Sequence, residues 1–496
     1  MPLLSTAVAL PKIGSMYPPR LLTFRGGLNN SVSDEFIADH ELSAARNYIP
    51  DIFNAGVIIK REGVTQQSSV QTEAATSVHS GKHANYFSTS TTIRNFAGTS
   101  LASGLASTTE PDWTTFANND IYVNGTVAPQ TSTNGTTFAA LGGAPPTFKY
   151  IENFNNFLFG AGHSGGILRW ADLGTVATWT AGNSYTITND QLNPITGLQK
   201  FHNVLVVFCQ NTFHHITGFN TPDIGINFSN FEEGCTSHRS IVRTPFGLFW
   251  WTNSGLALSR DGFSVEYPAI KKIPNTLGGL NKAYYSLVHG VWNQRNKRVE
   301  FFVHNGSAQT TVNMRIDYYY EEDTFWVHDG KGVETGASGF AVISGEHRVF
   351  VGSAGTVTPY LFRENADVAT DDGTPISAYA ETKRDAEPGG YVYLKRSRNL
   401  TLSTVLVGNA TLDLGVYVDN SDTLAKTWTL SLTSAGGFIL DVDLLDVGIL
   451  GAGVASKETS IGFNRRYNKL KYRIFDSNAL RTRLRSITQR GWLVAA

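Results

Sequence analysis

Short apolar runs recur through the middle of this chain at nearly constant spacing, and this spacing constrains the fold more than any other feature. Five runs are centred near Leu158, Val206, Phe249, Phe301 and Phe350, at intervals of 48, 43, 52 and 49 residues. A period of about 40–50 residues with several strands in each repeat is typical of β-propeller blades. Because one blade cannot bury both of its faces, the repeats are expected to stack around a common axis.

Two earlier runs, at residues 86–87 and 121–123, are expected to add one or two less regular blades, which makes about six blades in all. Aromatic residues that follow the runs are expected to mark the next strand of each blade, and they are Trp170, Phe213, Tyr318, Tyr319, Tyr320, Tyr360 and Phe362. Hairpin turns are predicted where Asn or Asp precedes Gly between strand-like segments, at Asn124-Gly125, Asp261-Gly262 and Asn305-Gly306.

The composition agrees with an all-β chain. Only 16% of the 496 residues are charged, below the roughly 25% of typical soluble domains, and 48 residues are glycine. This balance favours many short strands joined by tight turns over helices. The formal net charge is −1, so the chain has no overall electrostatic attraction for nucleic acid or for anionic membranes.

Three regions are predicted. Residues 1–75 form an N-terminal arm, in which prolines keep the start extended and residues 33–47 are the best helix candidate. Residues 76–375 form the irregular propeller. Residues 376–496 form a C-terminal β-sandwich or platform domain, with strand-like segments at 391–394, 400–407, 411–418, 427–432, 470–475 and 484–488.

Neither a secretion signal nor a membrane span is predicted. No basic residue precedes Lys12, whereas a signal peptide begins with a positively charged region. The most apolar stretch, residues 438–454, is interrupted by Asp441, Asp443 and Asp446, and it is shorter than the ~20 apolar residues that a membrane span needs. Membrane insertion is therefore not expected.

Several short patterns in the sequence resemble catalytic or metal-binding motifs. Residues 160–166 (GAGHSGG) match both a dinucleotide-binding and a nucleophilic-serine pattern, but the next residues resemble a strand and not the required helix. A hairpin loop is the prediction. His202, His214, His215 and His238 are close in sequence, but His214 and His215 would point to opposite faces of a strand, so no metal site is predicted.

Other candidate motifs also lead to no predicted catalytic or binding site. Residues 259–262 (SRDG) are a near miss to the turn of propeller sialidases, since the tryptophan is lacking, and no pair of glycosidase carboxylates can be assigned. Cys209 and Cys235 are predicted to be reduced and structural. Trp250 and Trp251 would form either a carbohydrate platform or a pair with one ring in the core and one at an interface. We predict no enzyme activity, catalytic residue, cofactor or metal.

The strongest charge feature lies near the C-terminus, where residues 457–490 contain ten basic and two acidic residues. On strands, alternation with apolar residues would place the cations on one face. This face is the candidate subunit interface or lumen surface, with a solvated sheet face as the alternative. Its residues are Lys469, Lys471, Arg473, Arg481, Arg483 and Arg485.

Several segments follow one another in the order found in a known family. They are 24–30 (FRGGLNN), 45–48, 60–63 (KREG), 194–198, 205–208, 215–218, 234–236 and 240–250, ahead of Gly255 and Asp261-Gly262. In this order they resemble the tail nozzle of short-tailed phages, also called tail tubular protein B or tail hub. The resemblance covers about residues 22–365 and extends to the C-terminal region only in general style.

This resemblance implies a structural protein of the virion tail, assembled in the host cytoplasm. In the family, six copies form a tapered tube below the portal and adaptor, and the genome leaves through it. The implied partners are other copies of the chain in a homohexameric ring, adaptor and portal-proximal tail proteins, tail fibres, and double-stranded DNA that passes without sequence recognition. Two alternatives stay open: a carbohydrate-binding, receptor-recognising tail protein, and a propeller glycosidase.

Overall fold

The computed structural model describes residues 16–17, 19–106, 110–164, 166–228, 233–353, 359–386, 394–405, 410–432 and 456–494. The chain forms two compact units. We call residues 64–365 the propeller unit, and residues 1–63 together with 366–496 the sandwich unit. The predicted boundaries of the propeller, 76 and 375, therefore lie about ten residues too late at both ends.

The first five strands precede the blades. They are β1 (Arg20–Thr23), β2 (Leu42–Arg46), β3 (Tyr48–Pro50), β4 (Ile58–Lys60) and β5 (Gly63–Gln66). Blades 1 to 4 each have four antiparallel strands. Blade 1 is β6 (Ser77–Ser80), β7 (Asn85–Ser88), β8 (Ile93–Asn95) and β9 (Ser100–Ala102); blade 2 is β10 (Asp112–Phe116), β11 (Asn119–Val123), β12 (Gln130–Ser132) and β13 (Ala139–Ala140); blade 3 is β14 (Tyr150–Phe154), β15 (Phe157–Ala161), β16 (Gly166–Trp170) and β17 (Ser184–Thr188); blade 4 is β18 (Ile195–Phe201), β19 (Val204–Cys209), β20 (Phe213–Thr217) and β21 (Gly225–Phe228).

Three further blades complete the propeller unit. Blade 5 is β22 (Val242–Arg243), β23 (Leu248–Thr252) and β24 (Gly255–Ser259); blade 6 is β25 (His289–Asn293), β26 (Arg298–Val303), β27 (Met314–Tyr319) and β28 (Thr324–His328); blade 7 begins with β29 (Thr335–Ile343), β30 (Glu346–Ser353) and β31 (Leu361–Asn365). Short helices between blades are α1 (Pro268–Lys272), α2 (Pro274–Gly278) and the 3₁₀ turns His238–Ser240 and Lys282–Leu287, and a further 3₁₀ turn, Thr221–Asp223, lies between β20 and β21 of blade 4. Both α-helices begin with proline, which is favoured at the first helical position.

The periodic runs are the second strands of the blades, which confirms the propeller prediction. The runs at Leu158, Val206, Phe249, Phe301 and Phe350 lie on β15, β19, β23, β26 and β30. All six residues of β19 are buried, as expected for a strand covered by neighbouring blades on both faces. The two earlier runs lie on β7 and β11, and each belongs to a complete blade, so the described residues of the propeller unit form seven blades where about six were expected.

The seventh blade is completed by a strand from the start of the unit. The strand order of its sheet begins β29-β30-β31-β5, so residues that precede blade 1 pair with the last blade. The backbone N–H groups of Gln67 and Gln71 donate to the carbonyls of Leu361 and Pro359, both at 2.8 Å. This pairing joins the two ends of the unit and covers an edge that would otherwise be open.

The predicted Asn-Gly turn at Asn124-Gly125 is not a two-residue hairpin. Residues 124–129 form a longer connection from β11 to β12, in which the Asn124 side chain accepts from the N–H groups of Thr126 and Val127. Asn305-Gly306 and Asp261-Gly262 likewise lie in longer loops. Two-residue hairpins with both φ angles positive, as a type I′ turn requires, lie instead at Ala117-Asn118, Asn155-Asn156, Ser344-Gly345 and Asp372-Gly373.

The remaining strands belong to the sandwich unit. They are β32 (Thr370–Asp371), β33 (Thr374–Pro375), β34 (Ala378–Thr382), β35 (Leu394–Val405), β36 (Thr411–Val418), β37 (Leu424–Ser431), β38 (Ser456–Gly462), β39 (Arg466–Tyr467), β40 (Leu470–Asp476) and β41 (Arg483–Val494). One sheet runs β3-β4-β41-β35-β38, with β1 added to β41 and β39 to β35, and the other runs β2-β34-β40-β36-β37. Segment 411–418 was predicted with its observed bounds; most of segment 391–394, the end of 400–407 and the apolar stretch 438–454 lie outside the described residues.

Two predictions for the N-terminal region were wrong. In the predicted arm of residues 1–75, the described residues from Pro19 onward do not form a separate arm, because β1 to β4 are strands of the sandwich sheets and residues from Val64 onward belong to the propeller unit. Residues 33–47 do not form a helix. Turns there lead into β2, the Gly26 N–H donates to the His40 carbonyl at 2.6 Å, and Glu41 accepts from the Asn29 amide and the Ala38 N–H.

Candidate functional site: the central cavity of the propeller

The first strands of the seven blades surround a central cavity. Its wider part has a volume of about 780 Å³ and is lined by residues from β6, β10, β14, β18, β22, β25 and β29. A narrower part of about 180 Å³ shares His79, Trp113 and Glu152 with the wider part and continues towards Arg239. The wider part falls within the range of roughly 300–1,000 Å³ that is usual for small-molecule sites.

One side of the wider cavity, from blades 2 to 4, is an arc of hydrogen-bonded polar side chains. The Asn153 amide donates to Thr114 Oγ1 at 3.0 Å, and its oxygen accepts from Lys200 Nζ at 2.7 Å. Glu152 accepts from Gln199 Nε2 at 3.0 Å and lies 3.5 Å from Lys200 Nζ. These bonds connect neighbouring first strands and hold the polar groups in place before any ligand arrives.

Aromatic side chains from blades 1, 2, 6 and 7 line the rest of the wall. The Trp113 ring stacks on His79 with centroids 5.1 Å apart, and its Nε1 donates to Ser77 Oγ at 2.8 Å. Trp292 is half-buried. Phe340 is 39% exposed and stacks on His347. The cavity therefore combines fixed polar groups with accessible ring faces.

Arg239 spans the narrow end of the cavity. It lies in the 3₁₀ turn ahead of blade 5, and its guanidinium donates to the carbonyls of Thr76, Leu287 and Gly336 at 3.2, 3.2 and 2.7 Å. Nη1 also lies 3.1 Å from the Glu110 carboxylate. Thr76, Leu287 and Glu110 lie just ahead of blades 1, 6 and 2, and Gly336 lies on the first strand of blade 7. Because Arg239 itself precedes blade 5, this one side chain connects five blades.

Burial shifts the ionisation of groups around the cavity. It lowers the pKa of His79 to about 4 and that of His238 to about 3, where the Arg239 charge acts in the same direction. Burial raises the pKa of Asp112 to about 7, against the N–H groups of Ile151 and Trp113 that stabilise its anion. Both histidines are therefore uncharged at neutral pH, and they act there as rings and hydrogen-bonding groups.

The residues predicted as a basic face are placed as follows. Lys471 and Arg473 share one face of β40, and Lys469 precedes that strand. Lys469 pairs with Glu35, Lys471 lies 2.8 Å from Glu381, and Arg473 lies over the Tyr379 ring at 4.8 Å. Carboxylates from within the sandwich unit thus neutralise much of this face, which charge counting along the sequence could not show.

The second group of predicted cations is divided between roles. Arg481 donates to the carbonyls of Lys60 and Ala366 and so supports the fold of the sandwich unit. Arg483 lies 3.4 Å from Asp51. Arg485 is exposed on β41 and is the member of the set best placed to meet another molecule.

The other candidate motifs are structural. Residues 160–161 end β15, residues 162–164 form a bend, and Gly166 begins β16, so a strand stands where both motifs require a helix, as predicted. Cys209 and Cys235 are buried free thiols, and burial raises their pKa values to about 11 and 12. Trp250 and Trp251 are both buried in the core, which excludes the exposed carbohydrate platform for this pair.

The histidines are also separated as expected. His215 Nε2 meets the Gly262 carbonyl at 2.7 Å, whereas His214 Nε2 meets Thr212 Oγ1 at 3.1 Å. In the part of the chain that the structure describes, no three His, Cys, Asp or Glu side chains are grouped to hold a metal ion. Within the same residues, no helix is long and apolar enough to cross a membrane.

The cavity residues were missed at the level of sequence. Glu152, Asn153, Gln199 and Lys200 lie on first strands that carry both polar and apolar residues, so they give no distinct periodic signal. Arg239 is a single charged residue in a short turn between a loop and a strand, and nothing in the local pattern separates it from a surface arginine.

No protein-family model and no curated protein matches the sequence. Similar solved structures include the WD40 domain of Pan2 from Neurospora crassa, at 6% identity over 62% of this chain and 96% of that chain with a TM-score of 0.39. BamB from Moraxella catarrhalis gives 9% identity over 70% and 99% of the two chains with a TM-score of 0.35. An exo-β-1,3-galactanase from Phanerochaete chrysosporium gives 9% identity over 71% of this chain and 97% of that chain, with a TM-score of 0.24. These similarities concern the fold alone.

Proposed function

We propose that this protein is a structural component of a phage virion tail, a nozzle subunit that assembles into a homohexameric ring. The ordered series of segments between residues 24 and 262 carries the proposal, because that order resembles the tail nozzle family. Each segment alone contains residues that are common in turns of many proteins. Their succession in this order over most of the chain is more specific to the tail nozzle family.

The positions of these segments in the fold support the proposal. In segment 60–63, Lys60 pairs with Asp476 at 2.9 Å and Arg61 with Asp371 at 2.6 Å, and all four side chains are buried. A Cβ at Gly63 would lie 2.1 Å from the Thr370 carbonyl oxygen, and one at Gly234 would lie 2.1 Å from that of Cys209. The segments therefore contain residues on which the architecture depends, so a shared order of segments favours a shared architecture.

The proposed mechanism is mechanical. Six copies surround a conduit, hold it closed until the particle attaches, and then let double-stranded DNA pass. A chain with a net charge of −1 would not retain the polyanion by bulk attraction, and passage requires no readout of bases. Arg485 is the candidate contact to a neighbouring copy or to DNA. The adaptor, portal-proximal tail proteins and tail fibres are the proposed partners, in the virion tail after assembly in the host cytoplasm.

We further propose that the protein has no enzyme activity of its own. Around the cavity, Glu152 accepts hydrogen bonds from the Asn153 N–H and Gln199, and Asp112 accepts them from two backbone N–H groups. These carboxylates thus already serve the contacts between blades. Incubation of the protein with oligosaccharides should release no reducing ends.

Native mass spectrometry and electron microscopy test the nozzle proposal. The expected result is a six-subunit ring with an open or gated centre, formed by the protein alone or after its adaptor is added. Ring assembly by the variant Arg485→Glu is compared with ring assembly by Lys426→Glu, since Lys426 lies on β37 outside the predicted basic face. A stable trimer, or a protein that stays monomeric with its adaptor, contradicts the proposal.

A further inference from the structure

We propose that the wider central cavity of the propeller unit is a binding site for an uncharged carbohydrate. This inference concerns only the propeller unit, and it is independent of ring assembly and of the proposed tail function.

The size of the cavity and the residues that line it are the first support for a carbohydrate ligand. At about 780 Å³ it can enclose a small ligand, and it brings together residues from all seven blades. Sugar rings present C–H groups on their faces and hydroxyl groups around their edges, so they need aromatic faces beside hydrogen-bonding side chains. Phe340 and Trp292 supply partly exposed faces, and Asn153, Gln199 and Lys200 supply the polar groups.

The charge balance decides which ligand fits. The Lys200 ammonium lies between Asn153 Oδ1, at 2.7 Å, and the Glu152 carboxylate, at 3.5 Å. Its charge is thus already compensated inside the wall, and binding of a phosphate or carboxylate there would have to compete with Glu152. An ammonium has three donors, and Lys200 uses one of them in its hydrogen bond to Asn153 while Glu152 balances its charge, so a donor is left for a ligand hydroxyl.

A buried polar atom on the wall has no hydrogen-bond partner among the residues that the structure describes. His79 Nε2 is inaccessible to solvent in the described structure and makes no hydrogen bond there. Buried polar groups are usually hydrogen-bonded, and an unpaired one is costly. His79 lines the cavity and its ring is fixed by stacking on Trp113. In the proposal, a ligand hydroxyl group supplies the partner that Nε2 lacks, which requires the His79 ring to shift from its stacked position on Trp113.

A glycan array followed by calorimetry tests this site with the full-length protein. The array carries neutral oligosaccharides, such as malto-, cello- and galacto-oligosaccharides, beside sialylated and uronic-acid glycans. Neutral glycans are expected to bind, with quenching of tryptophan fluorescence from Trp113 and Trp292. Phe340→Ala should weaken binding about tenfold, since a stacked ring contributes up to about that factor. Lys200→Met should also weaken binding severalfold.

The matched control is Phe219→Ala, since Phe219 is 70% exposed on blade 4 and does not line the cavity. Circular dichroism confirms that each variant is folded. Absence of binding by every glycan, binding by acidic glycans alone, or equal losses in Phe340→Ala and Phe219→Ala would each overturn the proposal. A ring that binds no glycan would overturn only this inference, and a monomer that binds glycan would count only against the nozzle.

Discussion

At the scale of single residues, Arg239 shows how one side chain can stabilise a ring. Propeller blades contact mainly their two neighbours, whereas this guanidinium reaches carbonyl groups on blades 1, 6 and 7 and a carboxylate ahead of blade 2. A guanidinium suits this role because it has five N–H donors in a rigid plane and carries a permanent charge. Burial lowers its pKa, and Glu110 opposes that shift.

Replacement of Arg239 should therefore be costly. We expect Arg239→Met to lower the free energy of unfolding by about 3–5 kcal/mol, because three backbone carbonyls and the partly exposed Glu110 lose a charged partner. Urea denaturation followed by tryptophan fluorescence measures this change. The control is Arg260→Met, whose pair with Glu266 is half-exposed and should contribute at most about 1 kcal/mol. Equal effects of the two variants would contradict the proposed role.

At the scale of elements, burial determined which strands could be predicted. The second strands were predicted because they are covered on both faces and so form continuous apolar runs, such as β19 and β23. The hairpin turns were not predicted correctly, because Ala117-Asn118 lacks the expected glycine and Asn124-Gly125 forms a longer loop. The first strands give no continuous apolar run because they carry polar residues at positions that face the cavity. The candidate site could therefore not be inferred from periodicity.

Blades 6 and 7 are joined by a buried ionic network. Arg298 and Glu300 on β26, Arg315 and Asp317 on β27, and Glu364 on β31 are almost inaccessible to solvent. Burial alone would raise the pKa of Asp317, but the surrounding charges, above all Arg315, hold it below its ordinary value. Glu364 is the member from blade 7, and it pairs with both arginines.

We expect Glu364→Ala to lower the free energy of unfolding by about 3–5 kcal/mol, because two buried guanidinium groups lose an anion. Thermal and urea denaturation measure the loss. Glu321→Ala is the matched control, since its pair with Lys297 is more than half exposed and should be worth under about 1 kcal/mol. A loss below 1 kcal/mol in Glu364→Ala would show that the network is dispensable.

At the scale of the whole molecule, the sequence predicted the all-β class, the propeller and the later sandwich strands, but it misplaced the N-terminal region. Local patterns mark where strands lie, whereas the pairing of β1 with β41 or of β2 with β34 joins residues hundreds of positions apart. No local pattern encodes such pairings. For the same reason, the role of residues 64–71 as the closing segment of the propeller unit was not foreseen.

The closing segment should be required for a stable propeller unit. We expect a fragment of residues 64–365 to fold and a fragment of residues 72–365 to melt at least about 6 °C lower. The shorter fragment loses the bonds of Gln67 and Gln71 and the burial of Val64. Differential scanning calorimetry compares the two. An eight-residue Gly-Ser segment added to 72–365 is the length control, and recovery of the melting temperature by that segment would refute the role of closure.

The position of β41 has a consequence during synthesis. This strand pairs with β1, β4 and β35, yet it leaves the ribosome about 420 residues after β4. At ~5–20 residues per second, β1 and β4 wait on the order of 20–80 s for their partner. The propeller unit has emerged well before then, whereas β1 and the β3–β4 hairpin lack their pairing with β41 until that strand is made. We therefore expect nascent chains to need a chaperone mainly for their first sixty residues, and translation pauses before residue 483 to favour aggregation.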